Sequence, residues 1–115
     1  MKYGGTWQIV EMEMWDETYF NMEVQAFIRV EPNGMGEFQF GLVSGALDGE
    51  VVETGKEERF EFTWDGQDEN DPAFGSGWLQ LSGKDKLQGS IKFHLGDRSA
   101  FQAVRAEDPD NAEAG

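Results

Sequence analysis

His94 is the single histidine of the chain, in the run Lys92-Phe93-His94-Leu95-Gly96-Asp97, with Ser99 close behind. Imidazole, carboxylate and hydroxyl together are the ingredients of an acyl-transfer triad. A nucleophilic serine of that kind sits on a strained Gly-x-Ser-x-Gly turn, and Ser99 has no such surroundings. His94 alternates with Phe93, so its ring is expected to face outward, beside a carboxylate. A pair of acids for glycoside hydrolysis could be drawn from Glu11, Asp16 and Asp65, but nothing in their spacing fixes a separation. The run Asp65-Gly66-Gln67-Asp68-Glu69-Asn70-Asp71 offers clustered oxygens to a hard cation, yet lacks the glycine and closing glutamate at the offsets of an EF-hand. It reads as a solvated acidic loop, with no metal expected. The chain has no cysteine, hence no thiolate ligand, thiol nucleophile or disulfide. None of its glycine clusters opens a helix that could cradle a phosphate. The expectation is a non-enzymatic protein without a cofactor.

Recognition chemistry is better supplied. Trp15, Tyr19 and Trp64 could grip an apolar or aromatic group, Glu11 could anchor it, and His94 stands in the same neighbourhood. Trp15 and Trp78, if exposed, would suit a binding face. The 23 acidic and 9 basic side chains give a net charge of −14. Such a surface repels nucleic acid and anionic lipid, so neither is expected as a partner, whereas a basic protein would be attracted. Residues 84–105 run against the trend, with five cations and two carboxylates, a sign suited to neutralising acidic neighbours across a sheet. No apolar run suggests a secretory signal or a membrane span, so a cytoplasmic protein is expected.

At 115 residues the chain suits one domain, 1–106, followed by an acidic tail, 107–115, expected to be disordered. Aromatic residues make up 13% of it, ample material for one core. Period-2 alternation and turn signals divide it into about eight short strands. The first runs from Thr6 to about Glu13. Residues 14–22 do not alternate, and read as a long connection that holds a short helix or an ordered lid. Residues 23–31 alternate, placing Val24, Ala26, Ile28 and Val30 on one face. After the Pro32-Asn33-Gly34 turn, Phe38, Phe40 and Leu42 point inward. Ser44-Gly45 is read as a turn into a strand near 46–53, and Thr54-Gly55-Lys56 as a turn into Glu58–Trp64. Residues 65–75 read as a loop, and strands follow at 77–82, 87–95 and 99–105. No segment has helical periodicity over more than about ten residues, which disfavours an α/β fold.

Eight hairpin-linked strands leave two open edges unless the first pairs with the last. The expected fold is therefore all-β, an eight-stranded antiparallel up-and-down β-barrel. Gly5-Thr6-Trp7 on the first strand and Arg105 late in the last resemble the mark of the calycins, the lipocalin, fatty-acid-binding and avidin superfamily. In that superfamily a late Arg or Lys stacks over the Trp of a Gly-x-Trp. The resemblance implies barrel closure by Trp7 and Arg105. The chain is shorter than the classical lipocalins and lacks both their C-terminal helix and the helix pair of the fatty-acid-binding proteins. Alternate loops then gather at opposite ends, so 14–22, 44–45, 65–75 and 94–98 share one mouth. Parity sends Trp7, Ile9, Phe60, Phe62, Ile91, Phe93, Phe101 and Ala103 inward, and Glu11 with them. An interior of eight strands is just wide enough for side chains to fill, and so many rings are expected to fill it. The expected function is a binding module for a small apolar or aromatic ligand at the loop-rich mouth. The other reading is an acidic, inhibitor-like or immunity-type module for a basic protein.

Overall fold

A computed structural model describes residues 2–106. The acidic segment 107–115, read as disordered, lies outside them. The elements are β1 (Gly5–Met12), α1 (Glu17–Phe20), β2 (Phe27–Val30), β3 (Met35–Phe40), β4 (Val43–Thr54), β5 (Glu57–Asp68), β6 (Asp71–Leu81), β7 (Lys86–Phe93) and β8 (Arg98–Arg105). The strands pair antiparallel in chain order and β8 returns to β1, so the sheet is a closed eight-stranded up-and-down barrel. Closure gives every strand a neighbour on both sides, although β4 outruns β3 beyond Asp48.

Four expectations need correcting. Ser44-Gly45 is not a turn. The chain reverses at Gly41-Leu42, between the paired residues Phe40 and Val43, which makes β4 a long strand and leaves Leu42 half-buried at a tip. Gly41 has φ +56, and a side chain there would run into the Tyr19 ring that lies on it. Residues 65–75 are not a loop either. β5 and β6 stay paired out to Asp68↔Asp71, with Glu69-Asn70 as a two-residue turn. Their polarity came from a solvent face, and their glycines from close strand packing. Residues 23–26 are not strand, and Val24 is exposed rather than inward. Finally, Glu11 does not point into the barrel. β1 pairs Ile9 with Ala103 and then Glu11 with Gln102, so Val10 is an extra, unpaired residue. That β-bulge flips the parity beyond it, leaving Glu11 in solvent and burying Met12.

The interior is filled with rings, and the strands are shaped to admit them. Trp7, Phe38, Phe40, Phe60, Phe62, Trp64 and Phe101 are buried. Four of these rings are paired with a glycine on a neighbouring strand: Phe38 with Gly45, Phe62 with both Gly49 and Gly77, Trp64 with Gly75, and Phe101 with Gly89. A Cβ on Gly77 would lie 2.5 Å from Phe62 Cζ, and one on Gly45 would lie 2.9 Å from both the Phe38 and Trp64 rings. Alternating large and absent side chains gives the narrow barrel a packed core rather than a channel.

One end is sealed by Arg105. Its guanidinium lies 4.1 Å over the Trp7 ring, while Nη1 donates to the Gly4 carbonyl at 2.9 Å and Nη2 to that of Lys2 at 3.3 Å. The Trp7 indole N–H donates to the Tyr3 carbonyl at 2.9 Å. The fork thus ties the chain before β1 to the end of β8.

Candidate functional site

The opposite end gathers the long 13–26 connection, the 41–42 and 69–70 turns and the 94–97 loop. Asp16 caps α1, its Oδ1 accepting from Tyr19 N at 3.0 Å. Phe20 is buried beneath, and its carbonyl accepts from Gly41 N at 2.9 Å. Asn21 Oδ1 accepts from Ala26 N at 2.8 Å, and Ser99 Oγ accepts from Met14 N at 3.1 Å. The connection is therefore an ordered cover.

Trp15 projects from this cover into the barrel mouth. Its ring centroid lies 5.1 Å from that of Phe40 and 6.2 Å from those of Phe93 and Tyr19. Beneath it, Trp64 stands edge-on to Phe38 at 5.1 Å and to Phe93 at 5.2 Å. Three of the residues singled out for recognition are thus built into one aromatic stack, at different depths. Trp64 is the floor, only 3% exposed, with its indole N–H held by the Lys92 carbonyl at 3.2 Å. Trp15 is half-buried above it. Tyr19 lies beside Trp15, its hydroxyl accepting from Leu42 N at 3.4 Å.

Glu11 and His94 do not join that stack. Glu11 lies on the outer wall, turned out by the Val10 bulge. His94 is exposed, as expected, but its neighbour is an aromatic ring: it stacks on Phe74 at 4.8 Å. The two rings line a shallow cleft of about 320 Å³ with Asp68, Glu69 and Asp71. Ser99 is buried, with Oγ donating to the Ala100 carbonyl at 2.9 Å, so it serves the backbone and presents no nucleophile to solvent. Among the described residues, no three His, Cys, Asp or Glu side chains come together as a metal site.

The rim around the stack was not legible from alternation. Met14, Met22, Val24, Phe74 and Leu95 are all exposed there, Leu95 at 92%. Leu95 also has φ +58, a left-handed conformation that is strained for a branched side chain. The mouth segments 13–26, 41–42, 68–71 and 94–98 hold eight carboxylates and one cation, Arg98. Apolar side chains in a ring of negative charge suit a partner that is apolar and neutral or positively charged.

Among the described residues no helix is long and apolar enough to cross a membrane. No protein-family model matches the chain, and comparison with curated proteins and with solved structures finds nothing similar.

Proposed function

We propose that the protein is a non-enzymatic binding module of calycin-like type that takes an apolar or aromatic group at its loop-rich mouth. The carrying observation is the half-buried Trp15 ring resting on Phe40 and Phe93, over the Trp64 floor. A flat ligand that displaced Trp15 would find aromatic surface already in place, with Tyr19 and the methionines of the rim to close over it. The filled interior limits the ligand to the depth that Trp15 reaches, and Glu11, turned away, takes no part. The Arg105–Trp7 stack beside Gly5 supports the calycin-like relationship, which remains one of layout.

The test uses a neutral fluorescent naphthylamine titrated into the protein and into Trp15→Ala. If the indole occupies the site, its removal vacates the stack and the variant binds the probe more tightly than the parent. Failure of both proteins to bind would refute the reading. The second reading, a basic protein partner, rests on the eight carboxylates of the mouth. It requires an association that weakens steeply as salt is raised.

A further inference from the structure

On the outer wall, away from the mouth stack, β4 to β8 form an open groove of about 700 Å³. Sheet register sets its layout. One outward row runs Asp48, Thr63, Ser76, Lys92, Arg98 across successive strands, and the row beside it runs Glu50, Glu61, Trp78, Ser90. The groove is therefore bipolar. Asp48, Glu50 and Glu61 crowd its β4–β5 end, and Lys92 and Arg98 stand opposite each other at the β7–β8 end.

The two signs are segregated to opposite ends of the groove, and each end sets like charges against each other, Glu50 opposite Glu61 and Lys92 opposite Arg98. Lys92 and Arg98 are a directly paired cross-strand couple of like charge, an arrangement that costs stability. Among the described residues neither makes an ion pair, in a chain with 23 carboxylates, and neither do Asp48, Glu50 or Glu61. Among the same residues Lys56, Arg59, Lys84 and Lys86 make none either, while Arg29, Arg105 and Lys2 find acidic partners. Between the two charged ends, Trp78 has the Arg59 guanidinium 4.1 Å over its ring. That covers an indole face on which a sugar would stack, and leaves charge and hydroxyls to do the recognising.

We infer that this groove binds an extended peptide segment carrying a cationic and an acidic side chain about four residues apart. The cation would lie against Asp48, Glu50 and Glu61, and the carboxylate between Lys92 and Arg98. From β4 to β7 is three strand spacings, roughly 14 Å, and four residues of extended chain cover roughly 13 Å. Thr63 and Ser76 would meet the backbone in between. The groove borders the mouth at Lys92 and Arg98, which flank the 94–97 loop, but it lies on the outer face of the sheet and uses none of the aromatic stack.

The experiment is an NMR titration of labelled protein with acetyl-Arg-Gly-Ser-Gly-Asp-amide, in the parent and in Lys92→Glu. The expected result is movement of the Trp78 indole N–H and the Lys92 and Arg98 amides. Lys92→Glu should weaken binding by ~10-fold or more, because the new carboxylate occupies Arg98 and repels the ligand acid. Its melting temperature should be no lower than the parent's, since a repulsive pair has become an attractive one. Three outcomes would overturn the inference. One is silence of these resonances. Another is equal binding of the uncharged acetyl-Gly-Gly-Ser-Gly-Gly-amide. The third is a response of Trp78 to cellopentaose but not to the charged peptide, which would make the groove a saccharide face.

Discussion

Replacing Arg105 by alanine removes the seal of the closed end, and its cost can be worked from the contacts. The guanidinium covers a fully buried indole at 4.1 Å, a geometry worth about 1–2 kcal/mol when partly desolvated. Its bonds to the Gly4 and Lys2 carbonyls carry charge, but the side chain is 34% exposed, so about 1 kcal/mol each is a fair allowance. The contact with Asp85, itself 59% exposed, adds little. The expected loss is roughly 3 kcal/mol, a fall in urea midpoint of about 1.5 M at a slope near 2 kcal/mol per molar. Arg105→Lys keeps a cation over the ring and loses the fork, so it should fall about midway. Equilibrium urea unfolding of the three proteins, followed by tryptophan emission, measures this directly. An Arg105→Ala loss below about 0.5 kcal/mol would refute the reasoning, because the barrel would then be closed by β1–β8 hydrogen bonds alone.

Gly77→Ala should cost about 1–3 kcal/mol, since its Cβ would meet Phe62 Cζ and the Ser90 carbonyl, each at 2.5 Å; thermal unfolding reads the loss. Glu11→Gln should leave stability within about 0.5 kcal/mol of the parent, as befits a solvent-facing residue beyond a bulge; a large effect would mean the carboxylate is buried after all. Burial, followed by the nearby Glu58 carboxylate, raises the Tyr3 phenol above its ordinary value of 10.0. The unfolded chain therefore loses this proton first, so the stabilisation is complete below pH 10 and is lost as pH rises through and above that value. Tyr3→Phe should flatten that alkaline decline in a series of urea midpoints.

Strand number and antiparallel order could be read in advance, because alternation and turn signals carry them; the Trp7–Arg105 stack is expected only from the calycin resemblance. The errors share a cause. In sequence Gly45, Gly66 and Gly75 read as marks of turns and loops, whereas they lie in strands where rings or neighbouring backbone leave no room for a side chain. Single-strand periodicity cannot see what stands across the sheet. The Val10 bulge is equally silent: one inserted residue changes no composition but inverts every later position on its strand. At the mouth, Trp15, Tyr19 and Trp64 were identifiable as aromatic candidates, but their depths were not, since depth depends on how α1 is pinned by Phe20 and Asn21. The unpaired Lys92–Arg98 couple was visible only as a local excess of positive charge, to which a neutralising role was assigned; register reveals two cations facing each other.

The pairing of β1 with β8 also sets the order in which the molecule can be made. Gly4 and Arg105 are 101 residues apart in the chain, so the contacts that shut the barrel are among the most non-local it possesses. The hairpins β4–β5 and β5–β6 join neighbours through tight turns and can form early. β1 must wait, with one edge unpaired, until the last strand has been synthesised and released from the ribosome. During that interval its exposed backbone is the point at which a second nascent chain could pair, and closure is the slow step that ends the hazard.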